Sequence, residues 1–216
     1  GDVALAFEEH YKPQGPNDTC PKNPLSVVIA LCDKIDTLLG FFSVGEKPTG
    51  SKDPFALRRS ALGVIRLILE NNLSFSLYDL LKDHMENASK DVFEFIIERL
   101  KVMLKDQNIP HDVISACLNH TSIKTQSLPE IAQKIAAISH IMSQKEGEVL
   151  RAVFSRAANI LKGTQSNSEI LPNLFEKQEE KDLFEAFLKI QDFSDYTSAM
   201  SGLLTLSAPL NAFFDQ

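Results

Sequence analysis

Several signals that would assign a function outright are missing from this chain. No apolar run is long enough for a membrane-crossing helix, which needs roughly 20 residues. The best stretch, Leu25–Phe42, is broken by Asp33, Lys34 and Asp36. The first residues carry no signal-peptide pattern, and a cytoplasmic location with no membrane partner is expected. The 3 cysteines, Cys20, Cys32 and Cys117, form no C-x-x-C pair, which excludes a disulfide framework and suits a reducing compartment. β-branched residues never alternate with polar ones, so no strands are expected. No internal repeat, Walker A loop, Rossmann fingerprint or Ser/Cys–His constellation occurs, and no catalytic residue is expected. Positive charge is also in short supply, with 22 Lys and Arg against 29 Asp and Glu. A net charge of −7 argues against indiscriminate nucleic-acid binding but leaves room for a local basic face.

What remains is helical pattern. Residues 3–10 read as a helix tail, followed by a loop in which Pro13, Pro16, Pro21 and Pro24 forbid helix. Asn23 and Pro24 open a strong core helix to about Phe42, with Asp33 and Asp36 on one face as carboxylates in need of partners. A short helix after Ser74 or Ser76 and a long one opened by Ser89–Val92 follow; Phe93, Ile96, Ile97, Leu100, Met103 and Leu104 mark the apolar face of the long one, widened by Phe95 and Val102. Asn108 and Pro110 begin another, running to Asn119. Its His111-Asp112 dipeptide, with His120 downstream, suits a helix start rather than a metal site. Ser127 and Glu130 form a capping box. The helix after it is followed by one from Glu146 to Leu161 with Val149, Phe154, Ile160 and Leu161 in its inward stripe, ended by Gly163. A polar connector and three acidic-background helices complete the chain, giving nine or ten helices in all.

The segment Val44–Leu69 stands apart. Gly45, Pro48, Gly50 and Pro54 make its first half a turn-rich loop. Ser51 or Asp53 can cap a helix with Pro54 at its first position. Lys47, Lys52, Arg58, Arg59 and Arg66 outnumber Glu46 and Asp53, against the acidic balance elsewhere. Arg58 and Arg59 are about 100° apart around a helix, so at most one points squarely inward. From spacing alone the segment is a connector with solvated cations.

The run from Gly45 to Arg59, GEKPTGSKDPFALRR, closely resembles a signature of the β subunit of bacterial tetrameric glycyl-tRNA synthetase. RAANILKG, holding Arg156 and Lys162 with Arg151 just upstream, is similar to a second segment of that family, and LNAFFD to a third. The resemblance implies an all-α chain: an HD-like helical remnant over residues 1–86, then a truncated DALR-like anticodon-binding bundle over 87–216. Asp33 would hold the place of the last HD metal ligand. The His and His-Asp ligands would lie before Gly1, so no metal is expected. The implied function is tRNA recognition within glycine–tRNA ligase, with tRNA-Gly and the α subunit as partners in an assembly of two α and two β chains. ATP and Mg would serve the whole enzyme, with no cofactor in this part. Lys47, Lys52, Arg58, Arg59, Arg66, Arg151, Arg156 and Lys162 become candidate tRNA contacts. An HD-type metal phosphohydrolase fragment and a non-catalytic helical protein-interaction module are the alternatives.

Overall fold

The computed structural model describes residues 1–84, 86–118, 121–163, 170–190, 193 and 195–215. His120, the expected helix end at Asn119 and most of the polar connector lie outside them. Among the described residues the fold is all-α, with no strand and two isolated bridges. No helix is long and apolar enough to cross a membrane among those residues.

The chain forms two compact units, Gly1–Ala132 and Gln133–Gln216. The first holds α1 (Asp2–Glu9), α2 (Pro24–Ser43), α3 (Leu57–Glu70), α4 (Leu77–Lys82), α5 (Glu86–Asp106) and α6 (His111–Leu118). The division falls inside α7 (Leu128–Met142), and α8 (Lys145–Ile160), α9 (Gln178–Leu188), α10 (Tyr196–Thr205) and α11 (Ser207–Phe214) belong to the second. The sequence-based division at 86/87 falls one residue into α5, whereas the two compact units divide at 132/133.

α2 is the centre of the first unit, packing against α1, α3 and α5. It begins where the sequence says it should. The Asn23 side chain accepts from the Leu25 and Ser26 amides, and Pro24 fills the first position. One face buries Val27, Leu31, Ile35, Leu38 and Phe42 where α2 packs on α3 and α5, whose own buried residues include Val64, Ile65 and Ile68 and Val92 and Ile96. The opposite face is open: Leu25, Val28 and Ile29 are exposed, and so are Asp33 and Asp36. The two carboxylates are therefore solvated and need no buried partner.

The buried charge of α2 is Lys34, which is 5% exposed. Its Nζ donates to the Tyr11 carbonyl at 3.0 Å, and its stem crosses Gly63 of α3. Burial holds the ammonium below its ordinary range, with the Asp33 charge opposing. The unfolded chain binds that proton more tightly. The penalty on folding is thus complete below the folded pKa and is relieved as pH rises toward 10.5, the ordinary lysine value. Lys34→Met should flatten the alkaline rise in stability, measured as melting temperature against pH. Gly63→Ala should cost about 1–2 kcal/mol, because the new Cβ falls 2.6 Å from Lys34 Cε and the hydrogen-bonded stem resists moving. Most of that cost should vanish in the Lys34→Ala background, a coupling that a double-mutant cycle of unfolding energies measures.

Other boundaries follow local chemistry. Ser76 Oγ accepts from the Asp79 amide and caps α4. Ser127 and Glu130 form the capping box of α7, with the Ser127 amide donating to Glu130 Oε2 at 2.8 Å. α5 begins at Glu86, earlier than Ser89 suggested, and the Ser89 hydroxyl donates back to the His84 carbonyl. In the second unit α8 buries only Gly147, Leu150 and Val153. Val149, Phe154, Ile160 and Leu161, expected inside, are exposed. Phe154 and Leu161 instead line an apolar cavity of about 640 Å³ together with Phe184, Leu203 and Phe213.

Candidate nucleic-acid interface

The loop before α3 is built from short-range chemistry. Gly50, at φ +51°, turns the chain so that Thr49 and Lys52 exchange backbone hydrogen bonds of 3.1 and 2.8 Å. The helix then starts at Leu57, later than Pro54 suggested. Pro54 and Phe55 precede it, and Ala56 adopts a left-handed conformation at φ 53°. Ala in that region costs about 1–2 kcal/mol. Asp53 offsets the strain from upstream: its carboxylate accepts the Leu57 amide at 2.8 Å and the Arg58 amide at 3.0 Å. Asp53, one of the two caps that the sequence suggests, thus acts across a turn rather than beside Pro54.

Three side chains tie this loop to the body. Phe55 stacks on Phe41 of α2 with centroids 4.2 Å apart. Lys47 Nζ meets Asp91 of α5 at 2.5 Å and lies over the Phe42 ring. Arg58 Nη2 donates to the Gly50 carbonyl at 2.6 Å, holding the tip of the turn. The loop is consequently preorganised.

The candidate cations occupy different settings. Lys52 and Arg59 are exposed, whereas Arg58 is half-buried and hydrogen-bonded to the loop, as the 100° offset between neighbours requires. Lys47 is half-exposed and paired with Asp91. Arg66 is the most enclosed. Its side chain is 16% exposed, and its guanidinium donates to Glu70 at 2.7 Å, the Gly15 carbonyl at 2.8 Å and the Asp18 carbonyl at 2.7 Å. Together with Lys22, whose Nζ donates to the Glu70 carbonyl at 2.7 Å, Arg66 pins the proline-rich loop onto α3. Asp18 completes the pin by accepting from the Gln14 and Thr19 amides, which hold its carboxyl below the usual range. Cys20, buried nearby, is pushed up to about 11 by burial and then by the Glu70 charge, so its thiol is unreactive at neutral pH.

In the second unit Arg156 bonds Asp215 at 2.9 Å and the Phe214 carbonyl at 2.7 Å, and lies over the Phe214 ring. RAANILKG and LNAFFD, each singled out by resemblance, therefore meet through one arginine. Arg151 and Lys162 are exposed. Asp33 stands exposed on α2, and among the described residues no three His, Cys, Asp or Glu side chains group as metal ligands. His111 and Asp112 are exposed at the start of α6, where Asp112 accepts from the Val113 amide.

Sequence reasoning overlooked Arg99. It lies on α5 with its guanidinium centre 5.7 Å from the Phe95 centroid, and it lines one cavity with Arg58 and Arg66. Its place beside α3 depends on a contact between helices roughly 40 residues apart, which no local pattern encodes.

A family model described as the glycyl-tRNA synthetase beta subunit matches residues 1–119, more than half of the chain. Relatives named glycine–tRNA ligase beta subunit include that of Ruegeria sp. (strain TM1040), 41% identical over 228 residues, with 99% of this chain and 33% of the relative covered. The corresponding proteins of Methylobacillus flagellatus and Paracoccus denitrificans are each 39% identical, covering 99% of this chain and 32% and 33% of their own lengths. The chain spans about a third of the length of the curated relatives it matches. Family model, full-chain similarity and the Gly45–Arg59 loop agree: the chain belongs to the glycyl-tRNA synthetase beta-subunit family.

Proposed function

We propose that this chain is a tRNA-recognition part of the β subunit of glycine–tRNA ligase, presenting fixed cations to tRNA-Gly phosphates. The observation that carries the reading is the loop of residues 45–59. Lys52 and Arg59 stand exposed on a backbone locked by Asp53, Phe55 and Arg58, in a chain of net charge −7. Preorganised cations meet phosphates without first losing backbone freedom, and they position RNA without reading its sequence. Arg151 and Lys162 of the second unit are proposed as separate phosphate contacts, while Lys47, Arg58 and Arg66 shape the loop surface of the first unit and Arg156 that of the second. Glycine activation with ATP and Mg belongs to the α subunit of the whole enzyme, two α and two β chains in the cytoplasm. Within this division of labour the HD-like and DALR-like parts bind rather than catalyse, and this chain alone forms no glycyl-adenylate.

The test is equilibrium binding of tRNA-Gly to the whole enzyme across a salt series. Arg59→Ala should weaken binding and reduce the slope of log affinity against log salt by about one. Arg58→Ala should instead lower the melting temperature, because Gly50 loses its donor. If both variants bind and melt like wild type, the loop is only a connector and the reading fails.

A further inference from the structure

We infer that the cavity between α3 and α5 receives one unstacked nucleotide of the bound RNA, an inference that rests on the tRNA-binding reading above. The cavity holds about 610 Å³, within the range of small-ligand sites. Its walls are one face of each helix together with Pro16 of the proline-rich loop. Arg58, Leu62, Arg66 and Leu69 follow each other along α3, and Arg99, Val102, Met103 and Asp106 along α5.

The arginines differ in what they still have to offer. Arg66 is held by Glu70 and the loop carbonyls of Gly15 and Asp18. Arg58 gives one N–H to Gly50 and keeps others. Among the described residues Arg99 has no carboxylate partner, and its buried Nε finds no acceptor. Its guanidinium is set by the Phe95 ring. With Nε sealed from any ligand, its two terminal Nη groups are what the guanidinium has to offer phosphate oxygens.

The rest of the cavity selects more than a bare anion. Asp106, and Glu70 although paired with Arg66, would repel inorganic phosphate, but the Asp106 carboxylate accepts from the ring N–H or amino groups of a base. Leu62, Leu69, Val102 and Met103 offer apolar surface to the base. An anionic group, a flat body and hydrogen-bond donors together describe a nucleoside 5′-phosphate. RNA is read chiefly through unstacked nucleotides of this kind.

The experiment compares tRNA-Gly binding by the whole enzyme carrying Arg99→Gln, Val102→Trp or Arg59→Ala, with melting temperatures taken alongside. Val102 is 41% exposed at the mouth, so tryptophan fills the cavity without entering the core. Both cavity variants should bind tRNA about tenfold more weakly, the contribution of one docked base. Arg99→Gln should also lower the salt slope by about one, and Val102→Trp should leave it unchanged. A parallel arm adds each free nucleoside 5′-monophosphate, or inorganic phosphate, and follows melting temperature. A Val102-sensitive rise with a free nucleotide, and unchanged tRNA binding, would assign the cavity to a free nucleotide and overturn the RNA inference. Wild-type tRNA binding by both folded cavity variants would overturn it too, and the loop reading would survive if Arg59→Ala still weakened binding. Loss in the cavity variants with a silent Arg59→Ala would sink the loop reading and keep this one.

Discussion

Replacing Arg66 with methionine should lower the melting temperature by roughly 6–12 °C, the equivalent of about 3 kcal/mol in a domain of this size. The substitution keeps an unbranched stem and removes only the guanidinium. Three hydrogen bonds are then lost at once, and the Gly15 and Asp18 carbonyls lose the donor that holds the loop against α3. Each acceptor left without a partner in a partly buried site costs about 1–3 kcal/mol. Lysine should not rescue the loss, because one ammonium cannot reach both carbonyls and Glu70 with the geometry of a planar fork. Thermal unfolding of Arg66→Met and Arg66→Lys checks this directly. Wild-type melting in both would mean that Asp18 and the prolines hold the loop without Arg66.

Gly147→Ala should be about as damaging, roughly 3 kcal/mol, although alanine is the better helix former by about 1 kcal/mol. Gly147 is buried in the first turn of α8, where the chain has just left α7. A Cβ there would collide with the Ile141 carbonyl oxygen and lie 2.7 Å from Met142 Cα. Those are backbone atoms of α7 and cannot rotate away. Gly202→Ala is the contrast. Its nearest neighbour is the Phe193 ring at 2.6 Å, a side chain that is 41% exposed and free to turn. Helix propensity should decide there, and that variant should melt within a few degrees of wild type. Equal effects at the two sites would show that the α7–α8 corner yields.

Where the signal was local, the sequence told it. Asn23-Pro24, Ser76 and the Ser127–Glu130 pair set helix starts through groups one turn apart, and the structure has each of them. The all-α class followed from periodicity in the same way. Signals that needed a second element were illegible. Asp53 was readable as a cap, but the left-handed Ala56 that delays α3 was not, since nothing in Pro54-Phe55-Ala56 demands it. Asp33 and Asp36 were read as buried because α2 is apolar nearly all round; its outer face is simply uncovered in this chain, and the buried charge is Lys34. Arg66 was grouped with Arg58 and Arg59 by its charge. Its distinct setting depends on a loop some 50 residues earlier in sequence, and the role of Arg99 depends on the packing of α5 against α3. Residue type and spacing gave the cations; only tertiary placement sorts exposed ones from those that hold the fold.

The most direct test of the account is lysine footprinting of the whole enzyme, with and without saturating tRNA-Gly, read by acetylation at individual residues. Lys52 is exposed on the ordered turn before α3, and Lys90 is exposed on α5 outside the proposed contact. The account predicts that tRNA-Gly slows acetylation of Lys52 severalfold, that the protection fades as salt rises, and that Lys90 reacts at the same rate throughout. Equal reactivity of Lys52 with and without bound tRNA would contradict it.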